Sequence, residues 1–161
     1  MVENSIENND ASNKPIDILL VEDDNADVKI TLRAFDKARI KNKIYVVGDG
    51  EEALDFIHHD GKYQNKSEFP RSDLILLDIK MPKMDGFTLL EKIKSDPDYK
   101  AIPIVMLTSS RQEEDVAKSY QGGAASYMPK PVSFEEFIKV VDAFNFYWYV
   151  INKFPDEKKE G

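Results

Sequence analysis

Leu74 to Gly86 read LILLDIKMPKMDG. Four apolar residues, Leu74 to Leu77, stand in a row between Asp73 and Asp78 with no alternation. A strand with one face in water would alternate apolar and polar residues. An unbroken run this short therefore fits a strand covered on both faces, at the centre of a parallel sheet. Met81-Pro82 and Asp85-Gly86 follow as turn and helix-start chemistry, leading into a helix that carries Phe87, Leu90 and Ile93 and closes at Asp96-Pro97.

Upstream, Ile16 to Glu22 (IDILLVE) reads as a first buried strand. Asp24 and Asp27 look like a capping pair that opens a helix through Val28, Leu32 and Phe35. Ile44 to Val47 is a second strand, punctuated by Gly48-Asp49-Gly50, and Glu51 to His59 a short helix with Ala53, Leu54 and Ile57 inward. Residues 61–72 are polar, contain Pro70 and read as a long surface loop. Downstream, Ile102 to Leu107 is a fourth strand ending at Thr108, and a polar helix runs from about Gln112 to Gly122-Gly123. Ala124 to Met128 is a fifth strand, ending in Pro129-Lys130-Pro131. A last helix starts after a Ser133 cap, with Glu136 three residues on, and continues to about Asn152. Strand and helix alternate five times, which implies an α/β fold: a doubly wound five-stranded parallel sheet with helices on both faces. Right-handed crossovers favour the strand order 2-1-3-4-5. One domain is expected over residues 15–152, between a polar, disordered tail (1–14) and a charged tail (153–161).

A length of 161 residues suits one core and not two. The net charge of −8 argues against a broad nucleic-acid surface. With no cysteine, disulfides, thiolate metal sites and Cys nucleophiles are excluded. The first residues, MVENSIENNDASNK, lack the basic start and apolar core of a signal peptide. No apolar run approaches the roughly 18 residues that span a bilayer. The expectation is a soluble cytoplasmic protein, with neither a nucleic-acid nor a membrane partner.

In an open parallel sheet, ligands bind beyond the carboxyl ends of the strands, where the strand order reverses. Strand one ends in Glu22-Asp23-Asp24 and strand three in Asp78, and these two adjoin at the switch point. Thr108 and Lys130, at the ends of strands four and five, approach from the other side. Carboxylates this close repel unless a cation compensates. Oxygen-only ligands favour a hard ion, and Mg2+, which uses one or two carboxylates and often a phosphate, fits best. A carboxylate beside it can attack phosphorus and become an aspartyl phosphate. Lys130 would stabilise the charge on the transferring oxygens, and Thr108 offers a hydroxyl.

The segments ILLVEDD, LILLDIKMPKMDG, IVMLTSS and YMPKP, in this order, resemble the four signatures of response-regulator receiver domains of two-component signalling, a flavodoxin-like fold. The similarity covers about Ile16 to Asn152. It implies that Asp78 is the phosphoacceptor, that Asp23 ligates the metal directly and Glu22 largely through water, and that the Lys80 backbone carbonyl is a further ligand. It makes Thr108 the switch hydroxyl, Lys130 the phosphoryl-contacting lysine and Tyr127 the aromatic that moves on activation. It also implies a cis Lys130–Pro131 bond. The function implied is that of a stand-alone response regulator, a signalling protein rather than an enzyme. It would be phosphorylated by a sensor histidine kinase and would signal through the face made by helix four, strand five and helix five. The insert GKYQNKSEFPRSD (61–73) and the aromatic C-terminal helix are similar to the single-domain regulators that pair with phytochrome kinases.

Plainer readings stand beside these. Asp24 is a helix cap, and Asp85-Gly86 a turn and helix start. His58 and His59 are read as surface residues. Phe134, Phe137, Ile138, Val141, Phe144, Trp148 and Ile151 form one stripe of the last helix, with further aromatics outside it. That surplus fits either a broader intramolecular contact or a homodimer or partner interface, and the interface is the expectation. A receiver fold without phosphorylation would lack the acceptor, the lysine or the acidic pair. A flavodoxin-type carrier would need a Ser/Thr/Gly loop where Glu22-Asp23-Asp24 stand. A phosphatase with an aspartyl intermediate usually has Asp where position 80 is Lys.

Overall fold

The computed structural model describes residues 16–37, 42–109 and 113–133, together with 135, 136, 138, 139 and 142. Its elements are β1 (Ile16–Val21), α1 (Asn25–Lys37), β2 (Asn42–Val47), α2 (Gly50–His58), a 3-10 turn (Gly61–Tyr63), β3 (Leu74–Asp78), α3 (Gly86–Lys94), β4 (Ile104–Thr108), α4 (Glu113–Gln121) and β5 (Ser126–Pro129). The strands are parallel in the order β2-β1-β3-β4-β5, as the alternation of elements implied. Every residue of the central strand β3 is buried.

Period-two geometry sorts each strand between two layers. Leu19, Val21, Ile75, Leu77, Ile104 and Met106 face one side and pack with Ala53, Phe56 and Ile57 of α2 and Leu89, Leu90 and Ile93 of α3. Ile18, Leu20, Leu74, Leu76, Val105, Leu107 and Met128 face the other, with Ala34 and Phe35 of α1 and Val132. Two inward faces differ from expectation. On α1, Thr31, Ala34 and Phe35 are buried, whereas Leu32 is 37% exposed. On α2, Phe56 is buried at 1% and Leu54 only half-buried. Strand β4 starts at Ile104 rather than Ile102, because Pro103 has no N–H to give a ladder.

The polar stretch after α2 is more than a surface loop. Tyr63, on its 3-10 turn, is 6% exposed, and its ring centroid lies 5.0 Å from that of Phe56. Phe69 meets Tyr63 edge-on at 4.9 Å, and Tyr45 of β2 completes the cluster at 5.3 Å from Phe56. His59, expected on the surface, is half-buried. It ends α2 in the left-handed region (φ 59°), its N–H reaching the Asp55 and Phe56 carbonyls, and its Nε2 lies 2.9 Å from the Phe69 carbonyl. His58 is the more exposed and faces Asp96 at 3.4 Å.

Several backbone hydrogen bonds run on past the strand ends: Glu22 N–H to Val47, Ile79 N–H to Leu107 and Lys130 N–H to Thr108. They carry Glu22, Asp78 and Lys130 to one edge of the sheet. The loop 79–86 folds back on that edge. Gly86 N–H donates to the Ile79 carbonyl at 2.8 Å, and a Cβ at Gly86 would overlap the Asp78 carbonyl and the Ile79 backbone. Within the loop, Met84 N–H reaches the Pro82 carbonyl across Lys83, which has φ 69°. This is a γ-turn of the rarer sense. The Lys130–Pro131 bond is cis, as the family pattern implied.

Ser133 Oγ accepts from Glu136 N–H at 3.2 Å, the expected cap. Most of the aromatic C-terminal helix, and with it the expected dimer stripe, lies outside the described residues, as do both tails. Among the described residues, no helix is long and apolar enough to cross a membrane.

Candidate functional site

The carboxyl edge brings four of the expected residues together. Lys130 Nζ lies 2.7 Å from Glu22 Oε2 and 3.0 Å from Asp78 Oδ1. Glu22 and Asp78 are buried, at 2% and 4% exposure, while Asp23 is open to solvent. Carboxylate oxygens of Glu22, Asp23 and Asp78 lie within 4.8 Å of one another. The backbone explains why. Strands β1 and β3 are paired in register, Val21 beside Leu77, so the residues that follow them emerge side by side.

A further acid joins them. Asp27 Oδ2 is 3.1 Å from Lys130 Nζ, in the first turn of α1. In the sequence it appeared only as a capping partner, and capping falls to Asp24 alone, whose Oδ1 accepts from the N–H groups of Ala26 and Asp27. The signal was Asp27's place in the turn directly after the acidic strand end. Its partner, 103 residues away, could not be inferred from that.

The charge balance is unfavourable without a counter-ion. Burial pushes the Glu22 carboxyl up to about 7, against the pull of Lys130 and with repulsion from Asp78 adding to the rise. Burial likewise raises Asp78, opposed by Lys130 and by a hydrogen bond from the Lys80 backbone. Burial acts to lower the Lys130 ammonium, but its ion pairs with Glu22, Asp78 and Asp27 outweigh it and hold it above its ordinary range. Glu22 Oε1 accepts from Asp24 N–H at 3.1 Å. Oε2 has the ammonium close by, but the approach is not aligned as a hydrogen bond, so among the described residues this buried oxygen has charge compensation without a directed donor. An all-oxygen set with surplus negative charge and one such oxygen fits a hard divalent cation.

Thr108 ends β4 beside Asp78, buried at 4%, with Leu107 the register partner of Asp78. Tyr127 is half-buried on β5, its ring edge-on to Tyr120 at 6.2 Å, and Tyr120 is 50% exposed. The Lys80 side chain is exposed. Asp85 caps α3 through Thr88 N–H at 2.8 Å, a structural role as expected.

The sequence model of the response regulator receiver domain matches residues 18–142. This chain belongs to that family. It is 38% identical over 139 residues to the response regulator Rcp1 of Synechocystis sp., covering 86% of this chain and 92% of Rcp1. It is 37% identical over 142 residues to the probable methanogenesis regulatory protein FilR2 of Methanothrix harundinacea, covering 88% of each. Among solved structures, the bacteriophytochrome response regulator RtBRR superposes with a TM-score of 0.74 at 40% identity, over 81% of this chain and 78% of that one. Rcp1 in its Mn2+-bound form gives 0.68 at 37% identity, over 83% and 94%. The receiver family, read from four short segments, is thereby established, as are the flavodoxin-like strand order and the resemblance to phytochrome-type regulators, which was read from the insert 61–73 and the aromatic C-terminal helix.

Proposed function

We propose that this receiver domain is a stand-alone response regulator that accepts a phosphoryl group on Asp78 from the phosphohistidine of a sensor kinase, of phytochrome type. The observation that carries this is the Lys130 ammonium held 3.0 Å from Asp78 and 2.7 Å from Glu22, at the mouth of a three-carboxylate cluster. An Asp78 oxygen attacks phosphorus. The P–N bond breaks with its electron pair going to the imidazole nitrogen, which takes up a proton, and Asp78 becomes an acyl phosphate. Lys130 stabilises the charge on the phosphoryl oxygens, and the Thr108 hydroxyl donates to one of them. Glu22, Asp23, Asp78 and the Lys80 carbonyl would hold Mg2+, which when bound neutralises the acids and the phosphoryl oxygens.

The output follows from packing. With Thr108 drawn toward the phosphoryl group, Tyr127 moves against Tyr120 and alters the face made by α4, β5 and the C-terminal helix. The signal leaves by protein contact in the cytoplasm, and the aromatic stripe from Phe134 to Ile151 serves as a homodimer surface. The test of the phosphoacceptor is direct. Acetyl phosphate with Mg2+ is expected to label the protein and to leave Asp78→Asn unlabelled; equal labelling of both would refute the assignment.

A further inference from the structure

An ammonium has three N–H donors. Lys130 Nζ has three carboxylates around it, Glu22 at 2.7 Å, Asp78 at 3.0 Å and Asp27 at 3.1 Å. Glu22 and Asp78 belong to the cluster that fits a cation, and Asp27 does not. It stands at the rim on α1, its side chain 32% exposed. We propose that Asp27 is a positioning residue that competes with the phosphoryl group for Lys130, holding the ammonium toward α1 in the resting protein. The inference rests on the phosphoacceptor reading of Asp78.

The asymmetry among the three acids is the reason. When the cleft is charged with cation and phosphoryl group, Glu22 and Asp78 acquire other positive partners and their hold on Lys130 weakens. Asp27 acquires none, so it continues to draw the ammonium. Among the described residues, the side-chain partner of this carboxylate is Lys130. The helix start is capped by Asp24, so Asn at position 27 leaves the cap intact.

Beryllofluoride, a phosphoryl mimic, provides the probe. With saturating Mg2+ and NMR-monitored titration, Asp27→Asn is expected to bind it roughly fivefold more tightly than the wild type. Asp36→Asn, which removes an exposed charge elsewhere on α1, is expected to leave the affinity unchanged. In a Lys130→Met background the gain from Asp27→Asn should disappear. Unchanged or weaker binding by Asp27→Asn overturns the competition, and so does an equal gain in the Lys130→Met background, which would assign the effect to charge alone. A second readout needs no ligand: in metal-free protein the Lys130 ammonium resonance should shift on Asp27→Asn and not on Asp36→Asn, and a static resonance counts against the contact. A wild type that fails to bind beryllofluoride sinks the phosphoacceptor reading as well. A wild type that binds, beside an indifferent Asp27→Asn, sinks the role of Asp27 alone.

Discussion

The acidic cleft and the aromatic cluster beside β2 solve opposite problems. In the cluster, Tyr45, Phe56, Tyr63 and Phe69 gain by removing carbon from water, and the hydroxyl of the buried Tyr63 donates to Glu52 at 2.5 Å. In the cleft, burial is a cost, because three acids share one half-buried ammonium and Asp23 adds a fourth charge. The first region pairs its buried hydroxyl with a neighbouring carboxylate. The second carries surplus negative charge that a bound cation would offset, which would tie its stability to occupancy.

The contrast is sharpest in Phe56→Ala. It removes a ring buried at 1%, and the expected cost is about 3–5 kcal/mol in urea denaturation, while acetyl phosphate should still label the folded fraction at Asp78. A fall in labelling beyond the loss of folded protein would show that the regions are coupled. Lys130→Met is the converse. Labelling is expected to slow by about 100-fold, the size of losing one charge aimed at the transferring group. The fold should weaken in chelator and recover with Mg2+.

The pH response should differ in sign from that of an ordinary ion-paired acid. Glu22 has its native carboxyl raised to about 7 from 4.5. Between those values the native state keeps a proton that the unfolded chain has released, so its contribution to stability declines as pH rises through that window. In chelator, the urea midpoint should drop between about pH 5 and about pH 7.5, and Mg2+ should flatten the slope. A slope unaffected by Mg2+ would place its source outside the cleft. The smallest effect expected is that of Tyr63→Phe, which deletes the hydrogen bond to Glu52 at a cost of about 1 kcal/mol with labelling unaltered.

The same two regions differed in how far they could be read from sequence. Glu22, Asp78, Thr108 and Lys130 were legible because each closes an apolar run, and a parallel sheet sends all such ends to one edge. Asp27 was not, since its importance depends on where a lysine 103 residues away comes to rest. The aromatic cluster was missed for a related reason. Tyr63 and Phe69 are isolated in a polar stretch, and only the arrival of Tyr45 and Phe56 from two other elements gives them something to bury against. Leu32 shows the reverse error: it has the right spacing for an inward face, yet Thr31 and Ala34 take that face instead.

The close approach of Gly86 to the Asp78 carbonyl bears on mutational tolerance. One amino acid in twenty has no Cβ, so a library randomised across the 79–86 loop should return position 86 as glycine under any selection that demands a folded product. The same invariance in a deep mutational scan would arise from crowding of main-chain atoms, not from any part in phosphoryl chemistry. A residue can thus be immutable beside a proposed phosphoacceptor and still take no part in the chemistry proposed for it.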